Sequence, residues 1–141
     1  MITIATHIDI AATPDNVWKV LIDYPAYAEW NPYIVRIIGT CGDAQITVHA
    51  AARPDAPPIL QTIDAVSAEF PELVWAGGLA DRHQFAGDHR FCVTEIATGT
   101  RFDHFEHFTG TQAEALIDRH GALITTNFNR FNIALKQRCE A

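Results

Sequence analysis

The stretch TQAEALIDRHGALITTNFNRFNIALKQR, near the end of the chain, constrains the fold more than any other. Leu116, His120, Leu123, Ile124, Asn127, Phe128, Phe131 and Leu135 recur there with a 3.6-residue period, the mark of one helix with a single buried stripe. Thr111 followed by Glu114 predicts a capping box at its start. Such a helix runs roughly 28 residues and about 40 Å. Gly121 and the Thr125–Thr126 pair weaken its middle and favour a bend. It is the one element long enough to cover a large sheet.

A sheet is what precedes it. Ile2, Ile4, Ile8 and Ile10 alternate with polar residues, which predicts a half-buried strand over 2–10. Thr13 and Pro14 then suit the N-cap and first position of a helix. Val17, Val20, Leu21 and Tyr24 give that helix one buried face. Pro25 ends it and begins a second short helix, which Asn31-Pro32 closes. Period two returns in YIVRIIGT, QITVHAAA, ILQTIDAVSAE, ELVWAGGL, GDHRFCVTEI and TRFDHFEHFT, joined by turns CGD, FPE and ATG and by loops RPDAPP and ADRHQFA. Short connections make the sheet antiparallel. The predicted fold is α+β: strand, two short helices, six strands and a long helix, with a strongly curved seven-stranded sheet wrapped around that helix. With 141 residues and no linker or repeat, residues 1–141 read as a single domain.

Composition excludes several functions. Ten Lys and Arg against 17 Asp and Glu leave a net charge of −7, and the basic residues are scattered, so no nucleic-acid surface is expected. An anionic membrane would repel this charge, and no apolar run is long enough to span a bilayer. Cys41, Cys92 and Cys139 lie far apart, which gives neither a disulfide framework nor a zinc knuckle. MITIATHIDI alternates and is not a signal peptide, so a cytoplasmic location is expected.

The segment RFDHFEHFTG carries aromatics and titratable groups on both faces. A two-residue turn at Thr98-Gly99 would pair Val93 with His104, Phe91 with Glu106 and His89 with Phe108. His89, Phe91 and Val93 then share a face with His104, Glu106 and Phe108. The other face carries Asp88, Arg90, Cys92, Arg101, Asp103 and His107 and reads as solvated. The first face is inside. His89, His104 and Glu106 are its polar exceptions, close enough to satisfy one another, a ligand or a water.

The segments ATPDNVWKVLIDYPAYAEWNPYI, ELVWAGGL, GDHRFCV, GTRFDHFEHFTG and FNRFNIALKQRCE resemble the SRPBCC superfamily of START-like and polyketide-cyclase-like helix-grip proteins, over essentially the whole chain. LADRHQF departs from the pattern, with His and Arg at what would be the cavity mouth. The resemblance implies an apolar cavity between sheet and long helix, lined or bordered by Trp30, Trp75, His89, Phe91, His104, Glu106, Phe108, Phe128 and Phe131. His83, in the loop before GDHRF, is a candidate for the mouth.

These residues support a ranked set of functions. The first is binding of a small hydrophobic ligand of lipid, polyketide or aromatic type, oriented by His89, His104 and Glu106. The second is a cofactor-independent cyclase, dehydratase or isomerase, with His104 or His89 as general base and Glu106 as its orienter or an acid. The third is a protein-interaction or quinone-binding regulator module working through the outside of the sheet. His89, His104 and Glu106 are also suitable zinc ligands. No helical His pair anchors such a site, however, and Phe91 separates the donors. No metal and no cofactor are expected.

Overall fold

A computed structural model describes residues 1–141. Its elements are β1 (Ile2–Ile10), α1 (Pro14–Ile22), a 3-10 turn (Tyr24–Ala26), α2 (Tyr27–Trp30), β2 (Ile34–Ile38), β3 (Gln45–Ala50), β4 (Ile59–Glu69), β5 (Glu72–Gly78), β6 (Ala86–Ile96), β7 (Gly99–Thr109) and α3 (Ala113–Glu140). The seven strands form one antiparallel sheet in the order β1-β7-β6-β5-β4-β3-β2. The sheet curls around α3, as the pattern of periods predicts.

The curl has local causes. Val66 is an extra residue between the paired positions Ala65 and Ser67 of β4, and β2 has a similar irregularity between Ile34 and Arg36. Such bulges bend and twist a strand. α3 holds both margins of the curled sheet. On one side it packs along β1 and β7, with Lys136 Nζ donating to the Asp9 carbonyl at 2.9 Å. On the other, Arg130 donates to the carbonyls of Ala51 at 3.0 Å and Pro32 at 2.8 Å. The strands between these anchors arch over the helix.

Two details differ from the sequence reading. The β6–β7 turn is Ala97-Thr98, because Gly99 (φ +137°) can take the left-handed backbone there and pairs with Ile96. The register therefore sets Val93 opposite Phe102, Phe91 opposite His104 and His89 opposite Glu106. The displacement is two residues, an even number, so every side chain stays on its expected face. The capping box is also absent. α3 begins at Ala113 with no side-chain cap, because Gly110 turns the chain beside the β5–β6 loop. There the Thr111 and Gln112 amides donate to the carbonyls of His83 and Gln84 at 3.0 and 2.9 Å.

At the α1 end the space between sheet and helix is packed solid. Val17, Leu21, Tyr24 and Tyr27 meet Phe91, Val93, Phe102, Phe131 and Leu135 there, all essentially inaccessible to water. Thr13 caps α1, its Oγ1 accepting the Asn16 amide at 3.3 Å. That cap and Pro14 set the helix where Val17 and Leu21 can reach this core.

Candidate functional site

The register lays three rows of inward residues across β5, β6, β7 and β1. The first is Leu73, Phe91, His104 and Thr6; the second is Trp75, His89, Glu106 and Ile4; the third is Gly77, Gly87, Phe108 and Ile2. Moving away from α1, large side chains thus give way to a facing pair of glycines. The third row leaves bare backbone where the others fill the space, and a pocket opens above it. Its volume is about 530 Å³. Trp75, Phe108, Ile63, Ile124 and Phe128 form its apolar walls, with Tyr33, His89 and Glu106 among them. An adjoining recess of about 470 Å³ shares Tyr33, Leu79, Phe85 and Ile124 and extends along α3. Ile59, Leu60 and Leu79 are exposed apolar residues on the rims.

The polar residues of the first two rows form a directed chain. The Thr6 hydroxyl donates to the His104 carbonyl at 2.8 Å, so its oxygen accepts from Asn132 Nδ2 at 2.9 Å. Asn132 Oδ1 then faces His104 Nδ1 at 2.8 Å, and the Phe128 carbonyl is a second acceptor beside the same ring. His104 must therefore carry its proton on Nδ1. Its Nε2 is left as an acceptor, 2.7 Å from His89 Nε2, which donates. The free lone pair of His89 is then on Nδ1, facing Glu106 Oε1 at 3.6 Å.

Burial keeps these groups uncharged. Desolvation, then the neighbouring His104, holds His89 well below the usual imidazole range. Desolvation pushes His104 down to about 3, against the opposing pull of its Asn132 and Phe128 acceptors. Desolvation, with a smaller contribution from Asp88, raises Glu106 to about 8. At neutral pH the His89–Glu106 contact is thus between an imidazole and a carboxylic acid and is not an ion pair. Burial, and then the nearby Glu106, also raise the Tyr33 phenol far above its usual range.

Among the residues singled out in the sequence, Trp75, His89, Glu106, Phe108 and Phe128 line the pocket together. Phe91, His104 and Phe131 lie behind its wall, fully enclosed. His104 stacks on Phe128 with ring centroids 4.2 Å apart. Trp30 packs on Tyr27 and Phe131 and does not border the pocket. His83 is exposed in the β5–β6 loop, outside the pocket lining. His104 spends both ring nitrogens on His89 and Asn132, so His89, His104 and Glu106 do not converge on one point as metal ligands would. Thr6, Tyr33, Gly77, Gly87 and Asn132 were not singled out. Asn132 had a signal: it stands four residues after Phe128, on the buried face of α3.

The chain matches the family model described as polyketide cyclase/dehydrase and lipid transport over residues 1–140. No curated protein matches it in sequence. Several solved structures share its fold. A START superfamily protein from Mycobacterium smegmatis superposes with a TM-score of 0.73 at 14% identity, covering 98% of this chain and 97% of that one. The Zhui aromatase/cyclase from Streptomyces sp. R1128 gives 0.72 at 14% identity, over 99% and 93%. TTHA0849 from Thermus thermophilus gives 0.72 at 14% identity, over 98% and 97%.

Proposed function

The chain belongs to the polyketide cyclase/dehydrase and lipid transport family, and from that premise we propose that it binds a small hydrophobic molecule between its sheet and α3. The observation that carries this reading is the pocket of about 530 Å³ walled by Trp75, Phe108, Ile124 and Phe128. That volume is within the usual span for small-molecule sites, roughly 300–1,000 Å³, and Gln61, Thr62, Arg82, His89 and Glu106 set polar groups among the apolar walls. Removing apolar surface from water supplies affinity, while His89 and Glu106 orient whatever polar group the molecule bears. Lipid, polyketide and aromatic bodies all suit such a wall.

Two measurements test this reading. Native mass spectrometry of protein purified from its own host should find a retained small molecule. Nile red, a neutral apolar dye, should bind the wild-type protein, and Ile124→Trp should weaken it at least tenfold while far-UV circular dichroism is unchanged. Equal dye binding by this variant would refute the pocket reading.

A second reading is favoured by the His89–Glu106 pair. A neutral imidazole beside a carboxylic acid is a matched base and acid, the arrangement needed for cyclisation, dehydration or isomerisation of a carbonyl compound. His89 Nδ1 would take the proton, Glu106 would supply one, and His104 would hold the His89 ring. Turnover that survives both His89→Gln and Glu106→Gln would rule out this chemistry.

A further inference from the structure

The gap between His89 Nδ1 and Glu106 Oε1 is 3.6 Å, too long for a direct hydrogen bond. Both residues line the pocket, and a 3.6 Å base is short enough for one oxygen on the pocket side to stand about 2.8 Å from each, the usual O–H···O and O–H···N separation. The chain from Thr6 through Asn132 and His104 decides what that oxygen must be. Thr6 donates to a carbonyl and so accepts from Asn132, Asn132 accepts from His104, and His104 accepts from His89. His89 therefore presents a lone pair, and the oxygen beside it must carry a hydrogen. Glu106 has no Lys or Arg within ion-pair distance, only His89, and sits on the apolar side of the sheet. It is held as the acid, raised to about 8 by burial, and so donates its own hydrogen.

We propose that the His89–Glu106 gap is the subsite for a hydroxyl group of a neutral alcohol or phenol, donating its hydrogen to His89 Nδ1 and accepting one from the Glu106 carboxyl. The proposal deepens the reading of the pocket as a small-molecule site and rests on it. It also gives Thr6 and Asn132, which do not line the pocket, a part in specificity: with the Phe128 carbonyl they are positioning groups that fix the His104 tautomer and, through it, the His89 lone pair. An ether at the same point has no hydrogen to give His89. A carboxylate at that point faces Glu106, and Arg82, the cation of the pocket lining, is turned to the Leu79 carbonyl and Asp64, so the anion must desolvate its charge without a partner at the subsite.

Three probes with one ring system separate these cases at pH 7 by calorimetry: 2-naphthol, 2-methoxynaphthalene and 2-naphthoate. The wild-type protein should bind 2-naphthol at least tenfold tighter than 2-methoxynaphthalene, and 2-naphthoate more weakly still. Imidazole ¹⁵N NMR should show His104 protonated on Nδ1 and His89 on Nε2. Asn132→Leu, which leaves the Phe128 carbonyl as the remaining acceptor at His104, should roughly halve the naphthol preference while Nile red still binds. Thr6→Val, on an edge strand, offers the same comparison if Asn132→Leu does not fold. Equal affinity for naphthol and its methyl ether, or a proton on His89 Nδ1, would overturn the hydroxyl subsite even where Nile red binds. Loss of Nile red binding by the wild-type protein would instead remove the pocket reading and the subsite with it.

Discussion

A Cβ on Gly87 would overlap Glu106 Oε2, so the Glu106 carboxyl occupies space that only a glycine leaves free. Gly87 pairs with Gly77 on one side and Phe108 on the other, and its backbone is not in the left-handed region. Its role is room, not conformational freedom. The obstructed atom is the end of a flexible side chain, which can swing away.

Gly87→Ala should therefore fold with little loss of stability, within about 1 kcal/mol, but with the carboxyl displaced from His89. A chemical-shift change centred on Glu106 and His89, with Tm within a few degrees of wild type, is the expected result.

Stability should depend on pH through the same groups. His89 and His104 have folded pKa values below their unfolded ones, so the unfolded chain binds more protons and stability falls as pH drops from about 6.5 toward 3. Glu106 has a raised folded value, about 8, so the folded chain binds more protons and stability falls as pH rises from about 4.5 to 8. Asp88 acts on Glu106 and His104 on His89, while Glu106 in turn raises Tyr33. Glu106→Gln should remove the alkaline loss, on the order of 2–5 kcal/mol by pH 8. Urea titrations of both proteins at pH 5, 6.5 and 8 measure this directly.

Phe131 and Phe108 should respond differently to truncation. Phe131 is fully enclosed by core side chains, so Phe131→Ala should cost roughly 3–5 kcal/mol. Phe108 already borders the pocket, and Phe108→Ala should cost less and enlarge the space available to Nile red. Equal losses in chemical denaturation would mean that the two positions are packed alike.

Arg130 bonds to the Ala51 and Pro32 carbonyls and to Asn127 Oδ1. Arg130→Ala should cost about 1–3 kcal/mol and loosen one margin of the sheet from α3. Faster amide exchange near residues 33 and 51, with exchange in β1 and β7 unchanged, is the signature.

The fold was legible because period-two and period-3.6 patterns are long here and each element buries one face. The inward setting of His89, His104, Glu106 and Phe108 followed from parity, which survives a two-residue error in register. What parity cannot reach is depth along the strands. His104 and Glu106 share a face, yet one is sealed under Phe128 and the other borders open space. That difference arises from Gly77 meeting Gly87, a pairing set by the β5–β6 register across a seven-residue loop. Asn132 and Thr6 escaped notice because they act 126 residues apart, and single polar residues on a buried stripe carry no signature of their partners.

The account depends on a Glu106 at the pocket wall that stays protonated beside a neutral His89. A ¹³C titration of the Glu106 carboxyl reads this directly. A midpoint near pH 8 is predicted; a midpoint near 4.5, the ordinary value for a solvated glutamate, would contradict it.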